Sequence, residues 1–102
     1  MNEKSDVLKI KLARRQLLMY LNIMYPISLK TETLYRTMLP VFPDYEYVVF
    51  QKDIHYLVAK EFLCFIDDKF GGMPGFSNKV VGLTAKGKEI AERTQTDPAL
   101  EI

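Results

Sequence analysis

The chain is short of the residues from which catalytic and metal sites are usually built. It has one cysteine and one histidine among 102 residues. A single cysteine excludes an internal disulfide and a cysteine-based zinc site. A single histidine, His55, with no defensible serine or cysteine beside it, leaves no triad and no histidine-rich metal site. The expectation is therefore no catalysis, no metal and no cofactor. Net charge is scarce as well, at +1, which argues against a strongly basic nucleic-acid binder. No apolar run approaches the roughly 18 residues that span a bilayer. The start, "MNEKSDVLKIK", lacks the apolar core of a secretory signal. A cytoplasmic chain is expected, without a membrane partner. Internal repeats and low-complexity segments are lacking too.

What is present reads as one globular domain: 48% hydrophobic and 26% charged residues, with twelve aromatics that are all Phe or Tyr. Its expected limits are residues 1–93, followed by a tail over 94–102. Charge is uneven along the chain. Residues 1–36 hold seven Lys/Arg against three Asp/Glu, and residues 37–70 hold three against six. Such a dipolar surface can orient a polyanion or pair two subunits.

Spacings of three and four among Ile10, Ala13, Leu17, Leu21 and Met24 predict a helix from about Asp6 to Met24, stopped before Pro26. A second helix, "TETLYRTML", turns Leu34, Met38 and Leu39 to the core. Ser28 or Thr31 is its expected cap, and Pro40 ends it. Asp44 is the expected cap of a third helix over 45–60. One side of that helix carries Phe50, Ile54, Leu57 and Val58. The other gathers Tyr45, Val48, Val49, Lys52, His55, Tyr56 and Ala59, which is too apolar for a face washed only by water. It calls for a partner, protein or nucleic acid. Cys64 lies in "FLCFI", where a buried, inert thiol is expected.

The stretch "GGMPGFSNKVVGLTAKGKEI" poses the main choice. Glycines ahead of a helix can cradle phosphate, but "GGMPG" fits neither G-x-x-x-x-G-K-[ST] nor G-x-G-x-x-G. Its glycines precede a strand rather than a helix. Two β-prone runs, "FLCFIDD" and "KVVGLT", joined by a glycine-rich loop read as a hairpin. Thr84 then caps a last helix, about Ala85 to Arg93.

The order of elements, with "FQKDIHYLVAKEFLCFIDD" and "KVVGLTAKGKEIAE", resembles the winged helix-turn-helix family. Ile54, Leu57, Phe62 and Leu63 fill its pattern at the end of the third helix. The "LT-x-x-G" is similar to the MarR- and PadR-like branches, in which the threonine caps the helix and the glycine lets it pack closely. "LTAKG" and the trailing "DPALEI" are also similar to small winged-helix proteins of Mu-like transposing phages. The sequence departs from the family at Glu61, which stands where a glycine usually closes the third helix. That helix is expected to end differently, or the strand to begin sooner.

The resemblance implies an α+β, mainly α, fold: a three-helix core, a β-hairpin wing and a C-terminal helix. It implies double-stranded DNA as partner and a homodimeric transcriptional regulator, with helix 45–60 in the major groove. The candidate base-reading residues are Tyr45, Val48, Val49, Gln51 and Lys52, with Gln51 suited to adenine and Lys52 to guanine or phosphate. Lys69 and Lys79 of the 67–79 wing, and Lys30 and Arg36 on the second helix, are candidates for phosphates. Glu46, Asp53, Asp67 and Asp68 would oppose a polyanion. Terminal helices join many dimers of this family, which makes Leu8, Leu12, Leu18 and Tyr20 candidates for the seam. The near-neutral charge and the Val48/Val49/Tyr56 patch keep a second reading open: an interaction module that binds a protein partner without direct DNA contact.

Overall fold

The computed structural model describes residues 3–66 and 79–96. Four helices and three short strands follow in the order α1 (Glu3–Met24), β1 (Leu29–Lys30), α2 (Thr31–Met38), α3 (Tyr47–Ala59), β2 (Leu63–Ile66), β3 (Val80–Leu83) and α4 (Ala85–Thr96). The strands form one antiparallel sheet in the order β1-β3-β2. Leu63 lies opposite Leu83 and Ile66 opposite Val80, so the two expected runs pair as the arms of a hairpin. The connector after Pro26 supplies the third strand, with Leu29 opposite Val81.

Each helix contributes the side predicted by its period. Ala13, Leu17, Leu18 and Leu21 of α1 meet Leu34 and Met38 of α2 and Phe50, Ile54 and Leu57 of α3 in one buried core. Full burial of side chains of this size contributes about 2 kcal/mol each. Ile10 and Met24 do not join them: Ile10 is half-buried, and Met24 is exposed at the helix end.

Two helix starts and two caps differ from expectation. α1 begins three residues earlier, at Glu3. α2 begins at Thr31, which is buried; Lys30 takes the cap position with no side-chain hydrogen bond. α3 begins at Tyr47, with Glu46 rather than Asp44 at its cap. The reason lies at Tyr45, which is pulled into the core and whose amide turns back to the Phe42 carbonyl at 3.0 Å.

Glu61 closes α3 in the conformation usually left to glycine. Its φ is 67°, in the left-handed region. The Glu61 amide donates to the Val58 carbonyl at 2.9 Å and the Phe62 amide to the Leu57 carbonyl at 3.0 Å. That pair of bonds is a Schellman ending, and the buried contact of Leu57 and Phe62 accompanies it. The expected different ending is therefore not found; the helix closes in the ordinary way, at a conformational cost of about 1–2 kcal/mol for a residue with a Cβ.

Thr84 caps α4 as expected: its Oγ1 accepts the Gly87 amide at 2.9 Å and donates to the Glu61 carbonyl at 2.6 Å. A Cβ on Gly87 would lie 1.9 Å from the Phe62 carbonyl oxygen, so only glycine allows this approach. α4 runs to Thr96, past the expected end at Arg93. Arg15 of α1 donates to the Thr94 carbonyl at 3.2 Å and holds that last turn.

Candidate nucleic-acid interface

Third-helix residues divide cleanly by position. Phe50, Asp53, Ile54 and Leu57 face the core. Val48, Lys52, His55 and Ala59, at steps of three and four, are exposed and form one outward stripe. Gln51 is half-buried at its margin, and Val49 and Tyr56 are half-buried against the core. This stripe is shorter and more polar than the face read from the sequence.

Tyr45 and Asp53 are corrections. Tyr45 is 9% exposed and cannot reach a base edge. Its hydroxyl donates to Asp53 Oδ2 at 2.5 Å. Asp53 is 2% exposed, so it is no obstacle to a polyanion at the surface. Its other oxygen accepts Arg14 Nε at 3.1 Å. The Arg14 guanidinium lies over the Tyr56 ring at 3.6 Å, and the Tyr35 hydroxyl donates to the Tyr45 carbonyl at 2.6 Å. Burial, and then the bond to Asp53, push the Tyr45 phenol well above its usual range, so it remains a neutral donor. The network ties the start of α3 to α1 and α2. It went unread because Asp53 and Arg14 are charged, although both sit at core spacing: Asp53 between Phe50 and Leu57, and Arg14 before Leu17 and Leu21.

Around the stripe, Phe65 of β2 joins helix to sheet. The His55 ring meets it edge-on at 5.7 Å, and Lys79 Nζ lies 4.8 Å from its centroid. Lys79 and Lys30 are both exposed. They are brought together by the sheet, where the Thr31 amide donates to the Lys79 carbonyl at 2.9 Å. Neither the His55–Phe65–Lys79 contact nor the Lys30–Lys79 proximity was legible from spacing, because both cross the chain. Arg36 is exposed but held by Glu32 at 2.7 Å. Lys69, Asp67 and Asp68, with the rest of residues 67–78, lie outside the described residues.

Two further expectations change. Cys64 is exposed on β2 rather than buried, because the strand alternates and Leu63 takes the inward position. Leu18 is fully buried in the core, and Tyr20 is half-buried against it. Leu18 thus cannot serve a dimer seam, whereas Leu8 and Leu12 are exposed. No described helix is long and apolar enough to cross a membrane.

No protein-family model matches this chain. No curated protein matches it either. Among solved structures, the crystal structure of SSV1 F-93 is similar, with a TM-score of 0.58 at 20% sequence identity, over 80% of this chain and 82% of that one. The chain has an α+β, winged-helix-like fold. At that identity the likeness shows the fold alone and assigns no branch within it.

Proposed function

We propose that the chain binds double-stranded DNA as a small dimeric transcriptional regulator, without catalysis or cofactor. The observation that carries this reading is the outward stripe of α3, with Lys52 at its centre, continued through His55 and Phe65 to Lys79 and Lys30. An α-helix with an exposed N-terminal half fits the major groove. Gln51 and Lys52 then meet base edges, Val48 meets a thymine methyl, and Lys30 and Lys79 meet phosphates on the flank. Tyr45 and Asp53 act behind the surface by fixing the angle at which α3 is presented.

The test is fluorescence anisotropy with random and selected duplexes at about 50 and 200 mM salt. Four phosphate contacts in a dimer, from Lys30 and Lys79 of each copy, lower affinity about a hundredfold over that interval. Lys52→Glu raises the dissociation constant at least about tenfold. Unchanged affinity would place α3 outside the groove. No binding at the lower salt moves the stripe, with its exposed Val48, to the protein-partner reading.

A further inference from the structure

The apolar stripe of α1 runs one step further than the core does. Ile10 stands at the same helical spacing as Ala13, Leu17 and Leu21, yet it is only half-buried and lies outside the buried cluster. It faces a cleft of about 550 Å³ between the first half of α1 and the connector that leads into α3. Ile10 and Ala13 line the cleft from α1, Val41 and Phe42 from the connector, and Val49 from α3. That volume and that mainly apolar lining are those of a small-molecule site.

The cleft is held open by its own backbone. The Val41 and Phe42 amides donate to the Met38 carbonyl at 3.1 and 2.9 Å, and the Tyr45 amide returns to the Phe42 carbonyl at 3.0 Å. Pro40 and Pro43 restrict the chain between those bonds. The pinned connector therefore does not close over Ile10 and Val49, and an apolar body that covers them leaves water in doing so.

Charge selects the ligand. Asp53 also lines the cleft, but Arg14 and the Tyr45 hydroxyl already occupy its carboxylate, so it is left out of the count. Three exposed side chains border the opening: Lys9, Asp44 and Glu46. None of the three is held in an ion pair or a side-chain hydrogen bond among the described residues. Two unpaired acids against one unpaired base leave an excess of negative charge, which attracts a cation and repels an anion. The Lys9 ammonium opposes that attraction, on a flexible arm that can turn into water.

We propose that this cleft binds a small organic ammonium, its aromatic or branched aliphatic body against Ile10, Phe42 and Val49 and its cationic end at Asp44 and Glu46. The proposal concerns the cleft alone and stands whether or not the chain binds DNA.

The chain has no tryptophan, so indole fluorescence excited beyond the tyrosine band reports the probe alone. Tryptamine, tryptophol and indole-3-propionate carry the same indole and two-carbon arm, ending in a cation, a neutral hydroxyl and an anion. Titrated with the full chain, tryptamine should bind with a dissociation constant of about 1 mM or tighter. It should bind at least about tenfold tighter than tryptophol, with indole-3-propionate weakest. Asp44→Asn together with Glu46→Gln, both at exposed positions, should bring tryptamine to the affinity of tryptophol and leave tryptophol unchanged. Lys9→Gln should tighten tryptamine about threefold. Ile10→Phe fills the cleft and should weaken tryptamine and tryptophol together, with circular dichroism checking that the chain still folds; if it does not, the Asp44 and Glu46 variant carries the test. The proposal is overturned by an absence of saturable tryptamine binding at about ten times that concentration, by equal binding of the three probes, by a preference for tryptamine that survives loss of both acids, or by a folded Ile10→Phe chain that binds as before.

Discussion

Two joints hold α3 in place, and they are built from different materials. At its start, side chains do the holding: Arg14, Tyr45 and Asp53 meet across α1 and α3 in a buried network. At its end, backbone does it: the left-handed Glu61, the Phe62 carbonyl, the Thr84 cap and the bare Cα of Gly87 close on one another. The first joint can be loosened by degrees, because each side chain has some freedom to adjust. The second has no slack, because peptide groups cannot rotate away without moving β2 and α4 together.

Substitutions break the comparison at different points. Gly87→Ala should be the most damaging, costing about 3 kcal/mol or more in urea unfolding, since its methyl must displace a backbone oxygen. An unchanged midpoint would show that the joint has slack after all. Asp53→Ala strips both Arg14 and the Tyr45 hydroxyl of their acceptor and should cost about 2–3 kcal/mol; Arg14 recovers part of its hydration because its side chain is 20% exposed. Tyr45→Phe keeps the ring in the core and removes one donor from Asp53, for about 1–2 kcal/mol. Glu61→Gly reverses the sign and should stabilise by about 0.5–1 kcal/mol, as the left-handed cost disappears. The ion pair it gives up, to Lys86 at 3.7 Å, is exposed and contributes little.

The two joints also differ in how far the sequence reveals them. The parts at the end of α3 were legible as local motifs, a helix pattern running into Phe62 and Leu63 and "LT-x-x-G" a short way on, but the expectation that Glu61 would make the helix end differently was not met. Even the substitution at Glu61 changed the energy of the ending and not its shape. The start of α3 was not legible, because Arg14 and Asp53 are 39 residues apart. Nothing in either segment names the other. Charge was read as a sign of the surface, whereas here it marks a buried pair. Tyr45 was misplaced for a related reason: a helical wheel assumes that the residue is in the helix, and the core drew it out. Cys64 and Leu18 show the same limit at smaller scale. Period assigns a residue to a side, but neighbouring elements decide which side is covered.

The two-residue strand β1 ties the hairpin to the helix-turn-helix. The first amide of α2 is bonded to Lys79, the residue just before β3, so sheet and second helix are fastened to each other at that point. The backbone that carries Lys30 is thereby held beside the backbone that carries Lys79, and a substitution that shifts β3 should be felt in the first turn of α2.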